Sequence, residues 1–166
     1  MSERSGLKKF LFPRFSRYYI LRVAAVAIFA WLFFSYICIP IKIRGISMEP
    51  SYKDGSFNLI WRPLYFYRLP NVGDVVGVRL AGRSVMLLKR VVAREGDTVE
   101  FRKGKLMVNG KEINEPYLTY PCTWDLAPRK VEKGKVYVVG DNRNMPVRNH
   151  VFGQTDVDRI VGVALW

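Results

Sequence analysis

The chain has 166 residues, and 27 Lys and Arg against 14 Asp and Glu give it a net charge of +13. Hydrophobic residues make up 49% and aromatic residues 14%, enough for a packed core and unlike a disordered polycation. Cys38 lies in the most apolar stretch and Cys122 far away in a polar one, which excludes a disulfide-stapled miniprotein. One histidine with two scattered cysteines is too few soft ligands for a structural zinc site, so metal chemistry is not expected.

Val23 to Ile39 is an uncharged stretch, and Tyr18 to Leu21 extend it backwards past Arg22. About twenty such residues at 1.5 Å rise span the roughly 30 Å hydrocarbon core of a bilayer. Residues 18–41 therefore read as one transmembrane helix. Arg4, Lys8, Lys9, Arg14, Arg17 and Arg22 against Glu3 place residues 1–17 in the cytoplasm by the positive-inside rule, with residues 42–166 on the far side. A cleavable signal would want small residues where Ile39-Pro40-Ile41-Lys42 stands.

Removing those six basic residues and Glu3 leaves 21 Lys and Arg against 13 Asp and Glu. A basic domain beside a bilayer is drawn to anionic head groups, so membrane lipid is an expected partner. Basic runs never exceed two residues there, which does not fit a nucleic-acid partner.

The same 125 residues read as strands: Phe57–Trp61, Asp74–Leu80, Ser84–Ala93, Thr98–Arg102, Lys105–Gly110, Lys135–Gly140 and Arg159–Trp166. Asn109-Gly110 and Lys103-Gly104 have the residue types of tight hairpin turns. The domain is expected to be all-β, as coiled antiparallel sheets or a barrel. Between two of these strands, Trp61, Tyr65, Phe66 and Tyr67 crowd a short segment bounded by basic residues. Two readings stand open: rings that enter the lipid interface, or rings of a β-hairpin that fill the core.

Three segments carry residues that a strand pattern does not need. They are Gly45-Ile-Ser-Met-Glu-Pro50, Lys89-Arg-Val-Val-Ala-Arg-Glu-Gly-Asp97 and Gly140-Asp-Asn-Arg143. Lys89 lies in a segment where Met86, Leu87, Leu88, Val91 and Val92 are all apolar, so its strand is either covered on both faces or leaves Lys89 at an edge. Burial disfavours an ammonium and turns a lysine into a usable general base. Ser47, in a loop flanked by Gly45 and Pro50 just after the anchor, is a candidate nucleophile with its own N–H available to an oxyanion. The plain alternative is a snorkelling lysine and an ordinary turn serine.

In this order after one anchor, Ser47-Met-Glu-Pro-Ser51, the Lys89 segment and Gly140-Asp-Asn-Arg143 resemble the signature boxes of the type I signal peptidases, membrane-bound serine proteases with a Ser–Lys dyad. The resemblance runs from about Arg44 to Trp166. It implies a coiled antiparallel β domain that rests on the membrane and cuts signal peptides from exported precursors after small residues, without a metal or cofactor. It also implies Ser47 as nucleophile, Lys89 as base, Asp141 and Asn142 as supports, with Gly45, Met48, Pro50 and Gly140 shaping the loops around them. The location stays open between a bacterial inner membrane and a mitochondrial one, with the lack of an Arg- and Ser-rich transit segment beyond the short basic front favouring the bacterial one.

Beyond Gly-Asp-Asn the family pattern usually continues with Ser, Asp, Ser and Arg, where this chain has Pro146, Arg148, Asn149 and His150. Arg148 could substitute an ion pair with Asp141, and Asn149 could bond the lysine amine. His150 reads as a solvated loop residue, since the relatives that use Ser–His carry their histidine where Lys89 stands. Three functions remain open: a general signal peptidase, a peptidase for one dedicated substrate such as a conjugative pilin, or a non-catalytic binder of extended peptides.

Overall fold

The structure, a computed structural model, describes residues 16–80 and 86–165. Arg4, Lys8, Lys9, Arg14, Ser84 and Trp166 lie outside the described residues. The chain divides into two compact units, residues 1–37 and 38–166.

In the first unit, helix α1 (Arg17–Leu32) starts at Ser16, whose hydroxyl accepts the Tyr19 N–H. A π-helical turn (Phe33–Ile37) continues it. The resulting 21 residues are long and apolar enough to cross a bilayer, and no residue of α1 is buried. A helix apolar on every face satisfies its backbone internally while presenting only side chains to lipid. The helix ends at Ile37, which corrects the expected span to residue 41. Pro40 has no N–H to donate to a further turn, and strand β1 (Cys38–Lys42) instead pairs with β2 (Phe57–Trp61), Pro40 facing Leu59. Strand β1 is an edge, where a missing donor is tolerated.

The second unit is mostly antiparallel β-sheet, as expected. Its remaining strands are β3 (Val75–Arg79), β4 (Met86–Arg94), β5 (Thr98–Arg102), β6 (Lys105–Val108), β7 (Lys111–Glu112), β8 (Leu126–Lys130), β9 (Lys135–Val139), β10 (Gly153–Asp156) and β11 (Ile160–Ala164). One sheet has the order β1-β2-β11-β3-β4-β9-β10, the other β7-β6-β5-β8. The anticipated tight turns form with positive φ at both central residues, 49° and 80° at Lys103-Gly104 and 52° and 76° at Asn109-Gly110. Four strands were not expected from the sequence: β7, β8 and β10, which carried no recognisable pattern, and β1, whose residues up to 41 read as the end of the transmembrane helix. All are short and lie at sheet edges, where one side needs no hydrophobic signal.

Three apolar clusters hold the sheets. Phe101, Leu106, Trp124, Val139 and neighbours fill the space over the smaller sheet, Ile43, Met48, Ile60 and Leu88 lie under the loop after β1, and Val76, Val78, Val91 and Val138 fill the third. The aromatic segment after β2 is not a hairpin. Pro63 begins a one-turn helix α2 (Leu64–Tyr67) that leaves Phe66 and Tyr67 70% and 89% exposed. Tyr65 instead turns inward onto the valine cluster and donates its hydroxyl to Asp74 at 2.9 Å, so it does not face outward with them. Trp61 stays half-buried within β2.

Candidate active site

Strand β4 lies inside the larger sheet between β3 and β9, with Lys89 opposite Val76. Of the two placements open from sequence, the covered strand is the one observed, and Lys89 is only 2% exposed. Its Nζ stands 2.8 Å from Ser47 Oγ, across 42 positions of sequence. Burial pushes the Lys89 amine down to about 8, with the Asp141 carboxylate pulling the other way. As an ammonium the lysine donates to Ser47; as a free amine it accepts the Ser47 hydroxyl proton.

The serine loop is set by its backbone. Gly45 adopts a φ of 96° and donates its N–H to Asp54 Oδ1 at 2.8 Å. A side chain would strain that conformation. Ile46 O accepts from Glu49 N–H and Met48 O from Tyr52 N–H, closing consecutive turns. Met48 is buried beneath them, and Pro50 lies half-buried in the same loop. Ser47 N–H has no intramolecular acceptor among the described residues.

The third segment follows β9. Strand alternation sends Lys89 and Arg90 to opposite faces, and the turn Gly140–Asn142 reaches both. Asp141 accepts from Arg90 Nε at 2.8 Å and Nη2 at 2.6 Å. Asn142 donates its backbone N–H to Ser47 O and its Nδ2 to Ile46 O, both at 3.0 Å. A methyl group on Gly140 would stand 2.2 Å from Ser47 O, so only glycine fits between the turn and the serine loop.

Several supporting residues gave little or no signal in the sequence. The Arg90 guanidinium lies 3.8 Å over the Tyr117 ring. Arg143 is fully buried, donates Nε to Gly140 O and places both terminal nitrogens on Glu115 at 3.0 and 2.6 Å. Tyr117 donates its hydroxyl to the same Glu115. Arg90 and Arg143 could have been flagged as members of the quoted segments. Glu115 and Tyr117 sit in an irregular connection with nothing to single them out.

The departures in the third segment resolve differently from expectation. Arg148 is exposed and does not pair with Asp141, whose carboxylate Arg90 occupies. Asn149 is likewise exposed, and the Lys89 amine bonds to Ser47 instead. His150 is not a solvated loop residue: it is 5% exposed, against Trp124, because the 3-10 turn Val147–Asn149 directs it inward. Nor does it face the serine hydroxyl as a base, since its Nε2 accepts Gly140 N–H at 2.9 Å.

Beside this site, Ile41, Ile43, Met86 and Leu88, with Lys42 and Arg44 at the rim, line a groove of about 530 Å³. It combines apolar walls with the strand backbones that an extended peptide could pair with.

Signal peptidase I of Bacillus licheniformis is 33% identical over 98% of this chain and 91% of its own length. Thylakoidal processing peptidase 1 of Arabidopsis thaliana is 34% identical over 79% of this chain, which spans 42% of that protein. A solved signal peptidase I from Enterococcus faecalis superposes with a TM-score of 0.49 and 24% identity, covering 58% of this chain and 97% of that one. The family described as signal peptidase, peptidase S26, matches residues 16–166, and the chain belongs to that family.

Proposed function

We propose that this protein is a membrane-anchored serine endopeptidase that removes signal peptides from exported precursors after small residues, with Ser47 as nucleophile and Lys89 as general base. The observation that carries the reading is the 2.8 Å approach of a buried amine to the Ser47 hydroxyl. Lys89 Nζ takes the Ser47 proton as Oγ attacks the scissile carbonyl, and then delivers it to the departing amine. The same amine next deprotonates the water that releases the acyl group from Ser47. Ser47 N–H is placed to receive the developing oxyanion. Gly45, Met48 and Pro50 shape the nucleophile loop, while Gly140, Asp141 and Asn142 fasten it from the other side. These steps call for no metal or cofactor.

Helix α1 supports single-pass anchoring, and the basic residues before it support a cytoplasmic N-terminus with the β unit outside the cytoplasm of a bacterial inner membrane. Phe66 and Tyr67, with Trp61 behind them in β2, are proposed to meet lipid. Anchoring enzyme and precursor in one membrane raises their effective concentration.

The test is cleavage of a precursor with an Ala-X-Ala site by the full chain in detergent, compared with Ser47→Ala and Lys89→Ala. Cleavage abolished in both variants supports the reading. Cleavage that survives Ser47→Ala overturns it, and a folded wild type inert on this precursor redirects the search to one dedicated substrate or to peptide binding alone.

A further inference from the structure

We propose that His150 is a positioning residue of this site: its neutral imidazole accepts the Gly140 N–H and thereby keeps the turn Gly140–Asn142 clamped on the Ser47 loop, in register with Lys89. The proposal rests on the Ser47–Lys89 reading above.

The argument begins with what the ring does. Trp124 and Phe152 pack on it at 4.9 and 5.8 Å between centroids. A phenylalanine would fill that space without burying polar atoms, which is costly unless they are bonded. Nδ1 is buried with no hydrogen-bond partner among the described residues, so the ring's polar character is used at Nε2. The bond there, 2.9 Å from Gly140 N, requires Nε2 to be an acceptor and so places the proton on Nδ1. Burial and the nearby Lys89 and Arg143 cations hold the ring's pKa at about 3, which keeps it neutral across the working range.

Contact then carries the constraint to the nucleophile. A methyl group on Gly140 would meet Ser47 O at 2.2 Å and His150 Nε2 at 2.7 Å, so imidazole, glycine and serine carbonyl are packed against one another. Two residues on, Asn142 donates to Ser47 O and Ile46 O. A turn freed from His150 shifts these donors and with them the Ser47 hydroxyl. Small misplacements of reacting groups are expensive in rate.

The test uses the full chain in detergent with the Ala-X-Ala precursor, comparing His150→Phe, which keeps the ring, with His150→Gln, which restores an acceptor near the Nε2 position. The Phe variant is expected to lose about tenfold in kcat with KM within about twofold, and the Gln variant to recover to within about threefold of wild type. The acid limb of the pH profile should stay where Lys89 sets it in all three proteins. Wild-type kcat in the Phe variant, or a Gln variant as impaired as Phe, overturns the proposal. Disappearance of the acid limb would instead make His150 the base. If His150→Phe does not fold, His150→Leu takes its place; if neither folds while Gln is active, the bond serves the fold and the positioning role fails. Activity retained by Ser47→Ala marks failure of the underlying reading, whatever the His150 variants do.

Discussion

Arg90 holds both carboxylate oxygens of Asp141, at 2.8 and 2.6 Å, one position along β4 from the amine that faces Ser47. The pair therefore joins β4 to the turn after β9 and places a neutralised carboxylate near Lys89. Left bare, that carboxylate would favour the ammonium more strongly, against the burial that favours the free base.

The first prediction concerns the reacting pair. Ser47→Ala and Lys89→Met should each reduce kcat/KM by about 10³-fold or more, with circular dichroism unchanged and a cooperative melting transition retained. Residual cleavage within tenfold of wild type in either variant would falsify the assignment of that residue.

The pH dependence follows from the depressed amine. Activity should rise with pH and level off above about 8, as Lys89 loses its proton. Because Asp141 raises the Lys89 pKa, Asp141→Asn should move that limb to lower pH, even where it also lowers the plateau. A flat profile between about pH 6 and 9 in the wild type counts against a lysine base.

Stability should run opposite to function at the same residue. Lys89 binds its proton more weakly folded than unfolded, so the folded state is penalised below about pH 8, and stability grows as pH rises from there toward 10.5. Lys89→Met should stabilise the protein at pH 7 by up to about 3 kcal/mol and remove that slope. Chemical denaturation of the two proteins at pH 7 and pH 9.5 measures both effects.

The Arg143–Glu115 pair is almost fully buried, with the two side chains 1% and 6% exposed. Glu115→Leu leaves the guanidinium uncompensated and should cost about 3–5 kcal/mol. Replacing both residues, Arg143→Met with Glu115→Leu, should recover much of that loss. Equal destabilisation by the single and double changes would show that something other than the unpaired charge is responsible.

The exposed rings of α2 offer a test of lipid contact. Phe66→Ser with Tyr67→Ser should leave the melting temperature nearly unchanged, because neither side chain is buried. Co-sedimentation of the double variant with anionic vesicles should fall, read on the β unit expressed from residue 38 onward provided that its melting transition matches that of the full chain. Unaltered sedimentation would remove Phe66 and Tyr67 from the membrane surface.

Much of this protein was legible without coordinates. A run of uncharged residues long enough for a bilayer, β-branched and aromatic runs bounded by turn residues, and Asn-Gly and Lys-Gly turns are all local signals. They produced the helix, the all-β unit and both tight hairpins. The serine and lysine segments were legible too, because glycine, proline and the adjacent charges Lys89 and Arg90 stand out against apolar neighbours. Edge strands β8 and β10 escaped notice because they are half solvated, and the aromatic segment took a helical turn that no pattern distinguished from a hairpin. What tertiary structure alone decided was which polar groups meet. Burial of Lys89, the capture of Asp141 by Arg90 rather than Arg148, and the inward turn of His150 each depend on residues far apart in sequence. Desolvation and hydrogen-bond geometry are properties of the assembled surroundings, and the chain's order does not contain them.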